Sequence, residues 1–378
     1  MTSSPPAVLR DAALADAPAV TEFLRGLGLV MPQGQAAIER HWKSLWRDNP
    51  SLPAHGPNPA LGWILESEGR VVGFFGNVPQ VSYFGERPVR VSSARAWAVD
   101  PKFRAETPRL CQAFFGQKDI DLLLISSASA PAGKRCLEFG GARLPLPDYD
   151  KILYWPIDAF GFLKAGLRKQ GRGAALAWLL ALIGALGLNA EMRLMGRRPF
   201  APLDGIEIKR LDEIDEGFDD LWRRKLAEYP GRLLARRDAV TLRWYFGIGA
   251  GASETRVVVC RRQGRVLGYA VLVREDAPAI GLKRIKLADM LVEGDDAGVV
   301  RALMTAAYEY GLAKRCHVLE AVGLAPELRA VLTAMKPYRR AMPTFPFFYK
   351  ALRPDLVEAL AKGDGWYVTA YDGDTALL

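Results

Sequence analysis

The stretch WILESEGRVVGFFGNV (residues 63–78) decides how this chain is read, because it returns as TRVVVCRRQGRVLGYAVLV (255–273). The matching cores are Gly69-Arg70-Val71-Val72-Gly73-Phe74 and Gly264-Arg265-Val266-Leu267-Gly268-Tyr269. In each, β-branched and aromatic residues flank a polar turn with glycine, a pattern that predicts a β-hairpin. Upstream, HWKSLWRDNP (41–50) precedes the first hairpin and TLRWYF (241–246) the second. A repeat of such long period predicts two related units in tandem. Past the hairpins the copies diverge: the first continues into AVDPKFRAETPRL (98–110), the second into the acidic LVEGDDAGVVRAL (291–303).

Working outward, the first unit (1–158) reads as strand, two helices, hairpin, the strand VRVSSARAWAV, the helix TPRLCQAFFGQK, the apolar strand DLLLISSAS, a short helix ended by Gly140-Gly141, and YDKILYWPI as closing strand. Asp16 is a candidate N-cap for the first helix. The second unit (205–350) repeats this order and closes with FPFFYKAL. Agreement between two separate readings supports a mixed-sheet α/β (α+β) fold, present twice. A linker (159–204) joins the units and a tail (351–378) follows.

The chain has 378 residues, half of them hydrophobic and a quarter charged, which suits two soluble units with their own cores. A net charge of +9 is compatible with an anionic partner, whether nucleotide, RNA or acidic membrane. Cys111, Cys136, Cys260 and Cys316 lie far apart, and His41, His55 and His317 show no metal spacing, so neither zinc nor a disulfide framework is expected. The N-terminus lacks a basic segment followed by an apolar one, which predicts a cytoplasmic location. In the linker, GAALAWLLALIGALGLNA (173–190) carries no charge and has basic residues on both sides. It is just short of the roughly 20 residues a membrane span needs. The preferred reading is an interdomain helix buried against both units; the alternative is peripheral contact with an anionic membrane surface.

Chemistry is expected where the strand ending at Val99 turns through Asp100-Pro101-Lys102-Phe103-Arg104 into a helix. Such a turn offers backbone N–H groups to a phosphate, and Arg104 and Arg109 add charge. The element order, the hairpin and VDPKFR resemble the GNAT superfamily of acyl-CoA-dependent N-acyltransferases, whose hallmark is a strand followed by V-x-P-x-x-R-G-x-G-x-G/A. Val99, Pro101 and Arg104 match it. The resemblance implies acyl-CoA, acetyl or longer, held at Val99, Arg104, Ala105, Thr107 and Arg109, and a small-molecule amine or hydroxyl acceptor. Glu106 and Pro108 depart from it, standing where the family has glycines. The tyrosine that the family often carries in the helix after its fifth strand is absent from KRCLEFGGA; Cys136 or Leu137 stands there, and Cys136 is read as a core thiol before a nucleophile.

The second unit has the opposite character. Its loop EGDDAGVV is acidic and should reject a pyrophosphate. Asp289 and Glu320 sit in the middle of apolar strands, where an acid needs a partner or shifts its pKa. The preferred reading is a structural pair with an arginine or a backbone N–H, and the alternative makes both catalytic bases for an incoming amine. Asp372 and Asp374 form an acidic turn in the tail and are candidate substrate-binding residues. The tandem as a whole resembles FemAB-like transferases and transferases associated with polysaccharide biosynthesis, which implies acyl transfer to an envelope or polysaccharide precursor. Two rivals remain open: a Fem-like transferase using aminoacyl-tRNA, although no basic-aromatic RNA stripe is visible, and a degenerate, non-catalytic tandem that binds at a membrane surface.

Overall fold

Each hairpin turns on a pair of residues with positive φ in the computed structural model: Glu68 (50°) and Gly69 (73°) in the first, Gln263 (50°) and Gly264 (79°) in the second. Two consecutive positive-φ residues are what a tight hairpin requires, and glycine supplies the second without strain. Each hairpin also shifts register once beyond the turn, between Leu65 and Glu66 and between Cys260 and Arg261. The structure describes residues 6–199, 201, 204–248, 254–341 and 346–373.

In chain order the strands are β1 (Val8–Asp11), β2 (Gly62–Ser67), β3 (Arg70–Phe84), β4 (Arg87–Val99), β5 (Leu122–Ile125), β6 (Ala142–Arg143), β7 (Lys151–Pro156), β8 (Ile206–Arg210), β9 (Leu233–Ala235), β10 (Arg256–Arg262), β11 (Arg265–Arg274), β12 (Arg284–Val292), β13 (Val318–Ala321), β14 (Tyr338–Ala341), β15 (Phe348–Ala351) and β16 (Trp366–Tyr367). The helices are α1 (Ala17–Gly26), α2 (Gln35–Trp46), α3 (Thr107–Phe115), α4 (Ala130–Glu138), α5 (Ala159–Lys169), α6 (Ala174–Leu194), α7 (Gly217–Glu228), α8 (Ala239–Gly247), α9 (Ala297–Ala313), α10 (Pro326–Ala334) and α11 (Pro354–Leu360).

Two mixed sheets result. The first runs β1-β2-β3-β4-β5-β15-β6, and the second β8-β10-β11-β12-β13-β7-β14. Position by position they correspond, with one exchange. The strand expected to close the first unit, β7, pairs antiparallel with β13 of the second. The strand expected to close the second, β15, pairs antiparallel with β5 of the first. The assignment of YDKILYWPI and FPFFYKAL to their own units is therefore corrected. Local pattern could not have shown this. Both segments are apolar and extended, and which edge an apolar strand joins is a long-range choice that its own residues do not encode.

Further elements tie the halves together. β9 comes from the second half but pairs with the end of β3, and β16 pairs with β9. One continuous core holds Trp42, Leu45, Phe74 and Val78 from the first half with Leu242, Tyr245, Val271 and Leu303 from the second. The indole of Trp244 donates to the Ser44 carbonyl at 2.8 Å. A second core, on the opposite face of β2–β4, packs Trp63, Phe75 and Phe114 around α3, with Phe75 stacked on Phe114 at 4.5 Å.

Two smaller expectations are revised, and the tail is placed. Asp16 does not cap α1 with its side chain; it makes a two-pronged ion pair with Arg10 at 2.8 and 2.9 Å. The tail packs in, with residues 366–372 all buried between the halves. The apolar linker helix α6 is not buried between the units. It packs on α5, burying Ala177, Ala181, Ala185 and Met192, and leaves Trp178, Leu179, Leu182, Ile183 and Leu186 exposed.

Candidate functional site

β4 and β5 run parallel and bonded only from Val91–Leu122 to Ser93–Leu124. β4 then continues to Val99 without β5, paired with β3. On that free run β4 carries one extra residue, because Phe74 pairs with Ala98 but Gly76 with Arg95. The bulge is absorbed at Ala96, whose φ is 50°. A bulge of this kind re-aims backbone groups and is common beside active sites. The result is a notch between diverging strands, where the run of β4 has no strand partner on the β5 side among the described residues.

At the far end of the notch the expected turn is present. Asp100 donates its N–H to Val72 O and its carboxylate accepts the Lys102 N–H at 2.8 Å, which fixes the departure of the chain from β4. A short 3-10 turn over Pro101–Glu106 leads into α3, with Thr107 as its first residue. Arg104 and Ala105 are exposed. Arg104 makes no ion pair among the described residues, so its charge is available at the helix start. Arg109 is placed differently from the expectation. Its guanidinium donates to Glu106 Oε2 and to Ala7 O, both at 2.8 Å, and so answers the departure Glu106 represents instead of facing an anion. Val99, Arg104, Ala105 and Thr107 are thus brought together at one helix entrance, while Arg109 serves that entrance by neutralising Glu106.

The equivalent notch of the second unit is filled. β12 and β13 pair from Arg284–Val318 to Leu287–Ala321 and then part. Val99 and Val292 pair with the equivalent glycines Gly73 and Gly268, and the third residue before each is Ala96 and Asp289. Where the first unit has an open bulge, the second has a carboxylate. Asp289 Oδ2 accepts from Tyr269 Oη at 2.8 Å and from Arg237 Nε at 3.1 Å; Oδ1 accepts from Thr369 Oγ1 at 2.7 Å. Arg237 in turn donates to Asp372 Oδ2 (2.9 Å), Ala235 O (2.9 Å) and Thr369 Oγ1 (3.0 Å), under the ring of Tyr371. Both Arg237 and Asp289 side chains are fully buried.

This network changes how Asp289 and Asp372 are understood. The structure does bring them together, but around a guanidinium and not around an open cavity. Both oxygens of Asp289 and Oδ2 of Asp372 are engaged by the network. Burial pushes the Asp372 carboxyl up, against the pull of Arg237 and the Thr369 N–H. Burial would lower Arg237, yet Asp289 and Asp372 hold it well above its ordinary value. Glu320 lies apart, its oxygens at 2.7 Å from Arg340 and 3.8 Å from Arg284, again as an ion-pair partner. Asp374 lies outside the described residues. Sequence reasoning missed Arg237, because nothing in LLARRDAV marks one of two adjacent arginines as buried.

The acidic loop after β12 is closed in the same way. Asp295 accepts from the buried Lys225 at 2.8 Å and from the hydroxyls of Tyr229 and Tyr367. The Gly294 N–H, of the kind a phosphate would need, goes to Glu228 at 2.8 Å. The cavity of about 370 Å³ at the start of α9 is bordered by Glu293 and Asp296.

The tail connects the two notches. Near Asp289, the Ala370 N–H lies so close to Gly323, beyond the end of β13, that a Cβ there would meet it at 3.0 Å. Three residues on, Gly373 enters the first notch. A Cβ on Gly373 would lie 2.3 Å from Ser126 Oγ, and Ser93 is next to it. The Gly373 carbonyl accepts from Gln80 (2.9 Å) and Tyr245 (3.1 Å). With a φ of 93° and no room for a side chain, this position admits glycine alone.

On the same face as Ser93, Arg95 approaches His41 of α2 at 3.5 Å. Burial, with Arg95 adding to it, pushes the His41 imidazole down to about 4. His41 therefore stays neutral near pH 7. Unfolded chain takes up this proton below about 6.5 and folded chain only below about 4, so stability present above 6.5 is lost as pH falls through that window. Between about pH 7 and about pH 4.5 the wild type should lose about 2 kcal/mol more than His41→Gln in urea titrations; equal losses would show that His41 is not the group responsible. Cys136 is buried and its thiol is pushed up to about 12 by that burial, which makes it a core thiol and no nucleophile.

No protein-family model matches the chain, and no curated protein matches it in sequence. Solved structures do match its fold. A GCN5-related N-acetyltransferase from Anabaena variabilis ATCC 29413 aligns over 92% of this chain and 73% of its own, with a TM-score of 0.56 and 10% identity. A conserved protein of unknown function from Enterococcus faecalis V583, described as a probable N-acyltransferase, aligns over 94% and 75%, with a TM-score of 0.59 and 8% identity. A GCN5-related N-acetyltransferase from Kribbella flavida aligns over 94% and 73%, with a TM-score of 0.54 and 11% identity. The chain has the fold of these GCN5-related N-acetyltransferases, and the likeness runs through both halves.

Proposed function

We propose that this chain is an acyltransferase that takes its acyl group from acyl-CoA and uses only its first notch to do so. The observation that carries this reading is the contrast between the notches. In the first, β4 runs on past its pairing with β5, Ala96 is bulged, and Arg104 at the start of α3 makes no ion pair among the described residues. In the second, the corresponding places are taken by Asp289, Thr369, Asp295 and Glu228. Among the described residues the first site keeps its free run of β4 and receives only the backbone of Gly373, while its copy is packed by side chains.

The residues of the first notch suit the donor. The α3 entrance with Arg104 offers positive potential to a pyrophosphate. The free side of β4 offers N–H and C=O groups to an extended, amide-bearing arm, as a sheet edge does for an added strand. When bound, the thioester supplies the activated acyl group. The chain's own part is to hold that group at the Ala96 bulge, with the acceptor, an amine or hydroxyl compound, entering from the side of Ser93, Ser126 and the tail. Arg109 keeps Glu106 from repelling the donor.

Calorimetric titration with acetyl-CoA and with a long-chain acyl-CoA tests this reading. Arg104→Ala should weaken binding on the order of 10-fold or more, the worth of a charge-assisted contact. Arg262→Ala, exposed beside the closed second loop, should leave binding unchanged. Absence of binding by either donor, or equal loss in both variants, would remove the first notch as the donor site.

A further inference from the structure

The helix α6 presents its side chains inside out. Its small residues Ala177, Ala181 and Ala185 are buried, while Trp178, Leu179, Leu182, Ile183 (63% exposed) and Leu186 (74% exposed) face outward. Spaced by 100° per residue, these five positions span an apolar arc beside the buried alanines, with Trp178 at its near edge packed edge-on against Phe160 of α5. Among the described residues α6 is the one helix long and apolar enough to cross a bilayer. Its attachments argue for lying on one instead. Its start is joined to α5 by residues 170–173, and α5 follows directly from β7. Its end is held at β14, the neighbour of β7, where Tyr338 donates to Glu191 and Arg197 covers the Tyr338 ring at 4.6 Å and donates to Lys336 O at 3.0 Å. Both ends are thus fixed at one edge of one sheet.

We infer that the α5–α6 hairpin docks this protein on an anionic lipid bilayer, with the outer arc of α6 in the acyl boundary. Charge identifies the occupant. Between residues 159 and 199 there are seven basic residues (Lys164, Arg168, Lys169, Arg172, Arg193, Arg197 and Arg198) against the single acid Glu191. They cluster at the two ends of the uncharged stretch, where they meet lipid headgroups when the arc is immersed. A second copy of this chain is a poor occupant, because it would set two cationic hairpins against each other. A large apolar patch rimmed by cations suits a surface that is apolar within and anionic at its rim.

Flotation with vesicles tests the inference on the full chain. Vesicles of equal parts phosphatidylglycerol and phosphatidylcholine should carry the protein up, and pure phosphatidylcholine should carry far less. Binding should weaken with salt, because the rim charges are screened. The double variant Ile183→Glu/Leu186→Glu should bind the anionic vesicles on the order of 100-fold more weakly, having lost two immersed side chains. Its urea unfolding and its acetyl-CoA titration should match wild type, since both positions are exposed. A wild type that stays unbound, or a double variant that floats as well as wild type, would overturn the inference. So would a concentration-dependent dimer that the double variant abolishes without any vesicle binding, which would assign the arc to a second copy. Vesicle binding and donor binding are read separately, so failure of one is not mistaken for failure of the other.

Discussion

Arg237→Met should lower the free energy of unfolding by about 3–5 kcal/mol, measured by urea titration at neutral pH. The reason lies in what the substitution leaves behind. Arg237 sits between Asp289 and Asp372 with no solvent contact, and its three nitrogens serve two carboxylates, the Ala235 carbonyl and the Thr369 hydroxyl. Without it, two acids remain in a dry site with only hydroxyls and one N–H as donors, and Asp372, already pushed up by burial, must be protonated to stay. Removing one partner of a buried pair costs far more than the pair itself contributes. The companion Arg237→Met/Asp289→Asn/Asp372→Asn should therefore recover part of the loss. A single variant within about 1 kcal/mol of wild type would mean that water reaches the cluster and that the interior is less sealed than its geometry indicates. The same measurement bears on function, because Thr369 and Asp372 set the path by which Gly373 reaches the first notch.

The parts of this picture that local sequence carries are the ones it revealed. Glu68-Gly69 and Gln263-Gly264 are two-residue turns whose chemistry sits in those residues, and both hairpins formed where expected. The turn from Val99 into α3 is equally local: Asp100 closes it with its own side chain. The acidity of EGDDAGVV was likewise legible, since acids at a helix start oppose a phosphate wherever the loop lies. What could not be read depends on partners distant in sequence. Asp289 stood out as an isolated acid in an apolar strand, but its partners Arg237 and Thr369 are 52 and 80 residues away. That acid reads first as a structural partner and second as a candidate base, and the partner itself, Arg237, is what the sequence leaves unnamed. The α6 segment shows the same limit. Its composition shows an apolar helix, yet whether leucines or alanines face inward depends on α5, whose small residues Ala159 and Ala165 accept only a close, small-sided neighbour.

The strand exchange has the largest expected consequence for folding. Residues 1–204 expressed alone should show no cooperative unfolding transition, and residues 205–378 alone should show none either. The first fragment would carry β5 with an open edge, because β15 is in the other fragment, and would expose Trp42, Phe74 and Val78 of the shared core. It would also carry β7 with no sheet to join, since β13 and β14 are both absent. The second fragment would lose β7 from between β13 and β14, which have no bonds to each other among the described residues and would part. An apolar strand with open edges on both sides pairs with whatever chain it meets, so each fragment alone should aggregate. Mixed during refolding or produced together, the two should form a soluble one-to-one complex with a single cooperative transition, because the cut falls outside every strand and helix. A cooperative transition in either isolated fragment would show that a unit can close its sheet with its own strand, β7 in the first or β15 in the second. The observed exchange would then be one of two arrangements open to the chain and not the one that its stability requires.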